Sequence, residues 1–536
     1  MLGIFGSQPD LARQQGCTVQ RAKLASRVLL QLLPSIHRED SKTLKKEHFC
    51  YNPRSIGQSK AIQSDSEGRN SKMNEGRLRR TMGFRDVVLF YVAAVLSPRW
   101  IATAAAVGPS ALVIWGIVLI ALFIPLAFCV IELSSRYPEE GGVYVWSKRA
   151  FGDFAGFITG WSYWTSNLPY FPAVLYFAAG SALFIDADRW QALSHSGSYY
   201  IGFSLLGLLL AAALNIIGLD IGKWLHNIGA FATWIPLAIL IVIGIVAGIR
   251  FGPATEFDVA SLIPSTRLQD VIFWSTIAFA FGGLEAASTM SAEIENARRA
   301  IPRAILVAGI IIAGLYILGT LSTLLALPQN EVSGLQGITQ AITKTGARVG
   351  FQLGPLAALF LTVSNLGAVG AWFAATARLP FVAGIDRFLP SAFGRLHPRW
   401  NTPHVALITQ AVIAAVFIVL GQAGTTVKGA YDILVSASVI SYFIPFLFMF
   451  AALIKLQSEP AGAEVLRVPG GATVAVAVAA LGFATTAVSI VLAMVPSEQE
   501  VNKGLAVLKI AGLSLLPLVL GIVAYAAGKK KKARNL

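Results

Sequence analysis

Residues 271–303 of the chain are VIFWSTIAFAFGGLEAASTMSAEIENARRAIPR. The stretch begins as an apolar helix, meets Gly282, Gly283 and Glu285 near mid-membrane depth, and is then expected to resume as a helix that ends in charged residues. A bilayer core holds no water to satisfy freed backbone groups, so such an interruption is tolerated only against protein or a water-filled cavity. The stretch therefore predicts a broken membrane helix.

Two interpretations of this interruption are open. In the first, the paired glycines let two helices approach closely. In the second, the carboxylate of Glu285 lies beside a cavity, because ionisable residues inside membranes are rare and line substrate or ion paths. The rest of the chain bears on the choice.

The composition is that of a helical membrane protein. The 536 residues are 55% hydrophobic and 13% charged, with a mean hydropathy of +0.64. The apolar residues fall in long runs without the alternation of a membrane barrel, which favours helices. The net charge of +15 comes from tails and short loops, where basic residues set orientation, so we expect no nucleic-acid partner. The three cysteines have no metal or disulfide spacing, and we expect neither metal nor cofactor.

The apolar runs predict about twelve membrane helices of roughly twenty residues each. They form a transmembrane domain over residues 84–528. Residues 1–83 are polar and basic without periodicity, which predicts a disordered tail, and Met73 is an alternative start of the native protein. Residues 529–536 form a short basic tail. The predicted spans are 86–107, 110–135, 153–184, 199–218, 227–249, 271–294, 302–326, 353–383, 403–420, 430–454, 472–495 and 505–527.

The loops predict the orientation of these spans. If the N-terminal tail lies inside, the inside loops carry more Arg and Lys than the outside loops, and Lys529–Lys532 also falls inside. Cytoplasmic loops of membrane proteins are enriched in these residues. We therefore expect a multi-pass protein of the cytoplasmic membrane, surrounded by the lipid bilayer, with both termini in the cytoplasm.

A second interruption lies in the first predicted span, at Ser97-Pro98-Arg99-Trp100. Proline removes a helix hydrogen bond. Arg99 lies about 20 Å along the helix from Asp86 at 1.5 Å per residue, which is too deep to reach the cytoplasmic surface easily. An arginine at that depth must face a partner or a water-filled space. In the alternative, the helix ends early and Arg99 lies at the outer surface.

The two interruptions occupy the first and the sixth spans, the corresponding members of two halves of five helices. Broken segments matched in this way are typical of transporters built from inverted repeats, with the substrate between the breaks near the midplane. Helix N-termini and freed amides at such breaks are suited to hold a carboxylate.

Three motifs in the chain resemble amino acid permeases of the amino acid–polyamine–organocation superfamily. They are ELSSRYPEEGGVYVWSKRAFGDFAGFITGW (132–161), FAFGGLEAASTMSAEIENARRAIPRA (279–304) and ARLPFVAGIDRFLPSAFGRLHPRWNTP (377–403). The resemblance covers roughly residues 78–527. It implies an all-α fold of two inverted five-helix repeats, with the first and sixth helices broken, plus two C-terminal helices. It also implies secondary active uptake or exchange of amino acids by alternating access.

The first break departs from the family pattern. Many relatives have a Gly-Ser-Gly break there, whose backbone amides hold the substrate carboxylate, whereas Pro98 has no amide hydrogen. Arg99 is a candidate to bind that carboxylate through its guanidinium instead. The alternative is a permanent ion pair of Arg99 with Glu285 or Glu132, the latter also a candidate for a cytoplasmic gate. In either case, a cation in the site argues against polyamines as substrates.

The remaining candidate substrate-binding residues lie at the two breaks and on the third span. Glu285 is a candidate acceptor for the substrate ammonium or for a coupling proton, or else it neutralises Arg99. Phe279 and Phe281 flank the second break, and the resemblance implies that they cover the substrate. Spacing places Tyr163 and Asn167 on one helix face, although aromatic stripes in membrane helices more often serve packing. The candidates are Ser97, Arg99, Trp100, Phe279, Phe281, Gly282, Gly283, Glu285, Tyr163 and Asn167.

The sequence favours a transporter over other classes of protein. An enzyme would need paired acids or a histidine–acid set at the membrane surface, and the six histidines form no such set. Sodium would require oxygens such as those of Thr362, Ser364 and Asn365, but membrane hydroxyls usually bond their own backbone. We therefore expect proton coupling or pure exchange. The alternatives are an amino acid/amine exchanger, a polyamine or organocation transporter, and a non-transporting membrane sensor.

Overall fold

The structure of the 536-residue chain is a computed structural model. It describes residues 82–139, 141–217, 219–265, 268–385, 388–497, 500 and 502–534. Nearly all of the predicted N-terminal tail, including the alternative start at Met73, lies outside the described residues.

The described part of the chain is a bundle of α-helices. Its residues form no β-strand and contain only an isolated backbone bridge between Met82 and Ile294. The helices of the first half are α1 (Phe84–Val95), α2 (Pro98–Val107), α3 (Ser110–Arg136), α4 (Val143–Phe151), α5 (Asp153–Thr165), α6 (Asn167–Ala182), α7 (Ala187–Trp190), α8 (Gly197–Ile217) and α9 (Leu219–Phe251).

The second half repeats the pattern of long helices joined by short connections. Its helices are α10 (Val259–Leu262), α11 (Leu268–Ala280), α12 (Ala297–Ala326), α13 (Gly337–Val349), α14 (Gly354–Ile385), α15 (His404–Gln422), α16 (Val427–Leu456), α17 (Gly471–Ala493) and α18 (Lys503–Arg534). Helix α18 continues through the lysine run into the predicted C-terminal tail. Helix α16 is mostly buried inside the bundle, whereas α17 and α18 are mostly exposed on its outside.

The helices have the dimensions of membrane spans. Among the described residues, nine helices are long and apolar enough to cross a membrane, and eleven crossings result if two bent pairs each count as one. One pair is α1 with α2, bent by 46°, and the other joins α5 and α6 to the segment Ala187–His195, bent by 114°. Helix α11 falls outside this count because it stops after 13 residues. The prediction of an all-α polytopic membrane protein is confirmed, and each of the predicted spans contains a helix.

The sixth span does not resume as an α-helix after its break, contrary to the prediction. Residues 281–285 form turns, and Ala286–Glu293 winds as a 3₁₀-helix. The cause is local: the hydroxyls of Ser288, Thr289 and Ser291 each donate to the carbonyl three residues earlier, at 2.5, 2.7 and 2.8 Å. Such side-chain bonds compete with the α-helical pattern.

Candidate functional site

The two broken helices meet inside the bundle. Between α1 and α2, Leu96 and Ser97 adopt extended backbone, and Pro98 begins α2 at a position where a missing amide hydrogen costs nothing. On the other side, Gly283 has a φ of +120°, which a residue with a side chain rarely adopts. A Cβ on Gly283 would lie 2.9 Å from Cγ2 of Val95, so the second break packs directly on the first.

Tyr316 of α12 links the ends of both broken helices. Its hydroxyl lies 2.5 Å from the carbonyl oxygen of Val95, the last residue of α1, and 3.1 Å from that of Ala280, the last residue of α11. It also accepts the amide hydrogen of Ser97 at 3.2 Å. The ring of Tyr316 stacks on Trp115 at 4.6 Å between centroids. One side chain therefore bonds backbone groups that lose their helical partners at the two breaks.

Arg99 is buried in the first turn of α2 without a polar partner. Its side chain is 1% exposed, and its three guanidinium nitrogens have no hydrogen-bond partner among the described residues. The guanidinium carbon lies 3.9 Å from the ring centroid of Trp100 and 4.5 Å from that of Tyr170. The predicted alternatives of a surface position and of an ion pair with Glu285 or Glu132 are both wrong, because Arg99 is enclosed and both carboxylates bond other groups.

Glu285 is fully buried in the turn that follows α11. Its Oε1 accepts from the hydroxyl of Tyr163 on α5 at 2.8 Å and from the hydroxyl of Tyr442 on α16. Its Oε2 accepts from the amide of Gly283 at 3.2 Å. These three donors compensate the burial of the carboxylate. The carboxylate thus joins the second break to two other helices.

The two phenylalanines of the sixth span point to different places. Phe279 packs edge-on against Trp100 at 5.4 Å and against Tyr442 at 5.2 Å, inside the aromatic group that encloses Arg99. Phe281 packs against Phe123 at 4.6 Å, in the interface with α3 and α12. The structure therefore places Phe279 on the wall of the inner cavity and Phe281 in the packing behind it.

A small cavity of about 30 Å³ lies between the two breaks. It has room for about one water molecule and not for an amino acid. Trp100, Phe279, Gly282 and Asn167 line it, and Asn167 also donates to the carbonyl of Tyr163 at 2.9 Å. The other lining residues are Ala94, Val95, Ser166, Tyr170, Ala280, Trp372 and Tyr442. We call this space the inner cavity.

A much larger cavity of about 730 Å³ opens at one end of the bundle, which we call the vestibule. Its walls are the end of α2, the start of α16, part of α11 and the segment before α13. This is the end that the loop charges predict to be external. Its polar lining residues include Thr103, Thr255, Gln329, Ser333, Lys428, Tyr431 and Asp432.

Two sets of polar contacts join helix ends at the opposite end of the bundle, which we call the closed end. In the first, the backbone of Met82 pairs with Glu293 and Glu295, and Arg378 of α14 contacts the Glu293 carboxylate at 2.9 Å. In the second, the buried Glu132 of α3 accepts from Arg136 at 2.9 Å and from Gln457 at 2.7 Å. Together they hold the ends of α1, α3, α14 and α16 against neighbouring loops.

The three residues considered for sodium each make a hydrogen bond inside the bundle. Thr362 donates to the carbonyl of Ala358 at 2.7 Å, Asn365 donates to that of Leu361 at 2.6 Å, and Ser364 bonds Thr233 at 2.5 Å. No group of three or more His, Cys, Asp or Glu able to hold a metal occurs in the part of the chain that the structure describes.

Comparison with known proteins identifies the family. A family model described as amino acid permease matches residues 82–516. The chain belongs to this family. It is therefore a multi-pass membrane transporter of the amino acid–polyamine–organocation superfamily and not an enzyme.

The curated relatives of this permease differ in their named substrates. An uncharacterized transporter of Legionella pneumophila is 27% identical over 78% of this chain and 91% of its own length. A probable agmatine/putrescine antiporter of Lactococcus lactis is 22% identical over 82% of this chain and 91% of its length. A glutamate/serine transporter of Bacillus subtilis is 23% identical over 68% of this chain and 70% of its length. The named substrates thus include both amines and amino acids.

Four aromatic residues of the site were not among the candidate substrate-binding residues: Tyr170, Tyr316, Tyr442 and Trp372. Each is an aromatic residue within a long apolar helix, where aromatic side chains are common in packing. For the tyrosines, the one signal in the sequence is their depth in a predicted span, because a buried phenolic hydroxyl needs a polar partner. That signal does not say which partner.

Proposed function

We propose that this permease is a secondary active transporter of amino acids that binds its substrate between the two breaks and works by alternating access. The observation that supports this most is the pair of buried charged groups at the two breaks, Arg99 and Glu285. Arg99 packs on Trp100 and Tyr170, and Glu285 accepts from Tyr442, and these three aromatic side chains line the inner cavity. A zwitterion presents one carboxylate and one ammonium, which match these charges. The candidate residues of the breaks and of α5 and α6 would form the wall of this site.

The difference between the two ends of the bundle supports alternating access. The vestibule is open, while the opposite end is closed and the inner cavity is too small for a substrate. Binding would require the aromatic side chains at the breaks to separate, and transport would then open the closed end. We place the vestibule outside the cell and both chain termini in the cytoplasm, on the basis of the loop charges.

Proton coupling is the second part of this proposal. Glu285 is a buried carboxyl group that contacts three elements, α5, α16 and its own turn. Protonation of its Oε1 would add a donor where two hydroxyls now donate, so at least one of Tyr163 and Tyr442 would have to reverse its hydrogen bond or turn away. Proton uptake would therefore be tied to a rearrangement of the helices that surround the site.

The test of the transport proposal is uptake by purified protein in proteoliposomes. Labelled serine, glutamate, agmatine and putrescine would be offered with a proton gradient, without one, and with unlabelled substrate inside. We expect accumulation of an amino acid that depends on the proton gradient. Uptake that needs internal substrate and ignores the gradient would indicate an exchanger, and no uptake of any compound would contradict transport.

The role of Glu285 has its own prediction. In Glu285→Gln we expect gradient-driven uptake to fall at least about tenfold, because the side chain can no longer carry a proton, while exchange of labelled for unlabelled substrate persists. The matched control is Glu331→Gln, which changes an exposed glutamate paired with Lys344 and should leave uptake unchanged. Equal gradient dependence in wild type and Glu285→Gln would refute the proton role, and loss of both activities would point to ammonium binding instead.

A further inference from the structure

Arg99 is the least compensated charge in the described part of the bundle. Burial of a cation is costly unless it is paired and hydrogen-bonded. The faces of Trp100 and Tyr170 offset part of this cost through cation–π attraction, but they accept none of its N–H groups. All three guanidinium nitrogens are left without an acceptor. An anion that reached this point would satisfy them.

The charged groups near Arg99 are engaged elsewhere. Glu285 is held by two tyrosine hydroxyls and a backbone amide. Asp432 pairs with Lys428 at 2.8 Å. Neither carboxylate contacts the guanidinium, so the residues that the structure describes offer it no counter-ion.

Three backbone positions at the first break offer no free amide hydrogen to an anion. The amide of Ser97 donates to the hydroxyl of Tyr316, and Pro98 has no amide hydrogen. The amide of Trp100 donates to the carbonyl of Ser97 at 3.1 Å. The guanidinium of Arg99 is therefore the main donor that this break can offer to a carboxylate, and its planar geometry permits a bidentate contact.

The position of Arg99 is that of a partition between the two cavities. Its carbonyl accepts from Thr103, one turn further along α2, and Thr103 lines the vestibule. The two rings that enclose its guanidinium, Trp100 and Tyr170, line the inner cavity. Arg99 thus contacts residues that line each of the two cavities.

We propose that Arg99 determines specificity by binding the substrate carboxylate, so that this permease accepts amino acids and excludes amines without a carboxylate. Agmatine and putrescine are cations, and a buried guanidinium without a counter-ion repels them. This inference deepens the proposed transport function and rests on it. If it is correct, the substrate of this permease differs from those named for the Lactococcus lactis relative.

Binding in detergent tests the inference separately from transport. The melting temperature of the purified full-length protein would be measured with serine, glutamate, serinamide, agmatine or putrescine. Serinamide keeps the ammonium of serine and lacks its carboxylate. Ligands that bind the folded state raise its melting temperature. We expect serine or glutamate to raise it, and we expect no rise with serinamide, agmatine or putrescine.

Variants of Arg99 complete the test. Arg99→Met removes a charge that has no partner, so we expect the ligand-free protein to melt at the same or a higher temperature, with apparent affinity for amino acids at least about tenfold weaker. Arg99→Lys keeps the charge and should retain part of that affinity. The control is Arg348→Met, which removes an exposed arginine that packs on Phe251 at 5.0 Å and should not alter amino acid binding.

The outcomes separate this inference from the transport proposal. Stabilisation by agmatine or putrescine in the wild type, or unchanged amino acid affinity in Arg99→Met, would overturn the role of Arg99. A lower melting temperature in Arg99→Met with unchanged affinity would assign it a structural role and also overturn it. Carboxylate-specific binding that is lost in Arg99→Met, but without uptake in proteoliposomes, would support the role of Arg99 and contradict transport.

Discussion

Tyr316 shows how much one hydroxyl can do where two helices are broken. It is fully buried and contacts carbonyls of Val95 and Ala280 and the amide of Ser97. A single hydroxyl proton cannot serve both carbonyls fully at once, so the bond is shared or alternates between them. The side chain therefore couples the position of α1 to that of α11 through α12.

At the residue scale we predict that Tyr316→Phe destabilises the protein. The ring can still stack on Trp115, but three backbone groups lose their partner, which costs about 1–3 kcal/mol. The melting temperature in detergent should fall and uptake should slow. The control is Tyr199→Phe, which removes a hydroxyl bonded to one carbonyl, that of Ala179, away from the breaks. Equal melting temperatures for wild type and Tyr316→Phe would contradict the coupling role.

The sequence predicted the charged residues of the site better than their partners. Arg99 and Glu285 stand out because charge inside an apolar run is expensive and therefore needs a reason. The donors of Glu285, Tyr163 and Tyr442, are 122 and 157 residues away in the chain, and no local pattern connects them. The sequence also allowed a pairing of Arg99 with Glu285, which the structure replaces by bonds to those tyrosines.

At the element scale, the shape of the second break depends on Gly283. Its positive φ is strained for any residue with a side chain, and an added Cβ would press on Val95. We predict that Gly283→Ala separates the two breaks, lowers the melting temperature by several degrees and abolishes most uptake. The matched control is Gly314→Ala in the middle of α12, where an added Cβ meets nothing within 4 Å.

Gly314→Ala should be neutral or stabilise the protein by up to about 1 kcal/mol, because alanine is the better helix former. The comparison distinguishes a specific need for glycine at the break from a general sensitivity to added methyl groups. Similar losses in both variants would contradict the assignment of Gly283.

The sequence located the elements well and described the second half of the sixth span poorly. Long apolar runs define helices because a membrane leaves the backbone no other way to satisfy its bonds. The segment after Glu285 is different, since Ser288, Thr289 and Ser291 bond nearby carbonyls and wind a 3₁₀-helix. Hydropathy does not register this competition, and the tight packing of Gly282 against Tyr442 is equally non-local.

At the scale of the whole molecule, the vestibule and the closed end would correspond to one state of the proposed alternating-access cycle. One of the contacts described at the closed end is partly exposed. The pair of Glu293 with Arg378 has side chains 21% and 43% exposed, and such pairs contribute about 0–1 kcal/mol each. Their loss should shift the population of states without unfolding the protein.

The last prediction measures that shift with a cysteine in the vestibule. Ser436→Cys would be placed in a background with Cys17, Cys50 and Cys129 changed to serine and labelled with a membrane-impermeant maleimide. Labelling from outside should be readily detected, because Ser436 lines the vestibule. Adding Arg378→Gln should slow this labelling by up to about fivefold, since about 1 kcal/mol lost at the closed end favours states in which the vestibule is shut.

The matched control is Lys344→Gln, which breaks an exposed pair with Glu331 and should not slow the labelling of Ser436→Cys. Labelling only from the cytoplasmic side would reverse the proposed orientation, and equal rates with and without Arg378→Gln would contradict a gate at Glu293.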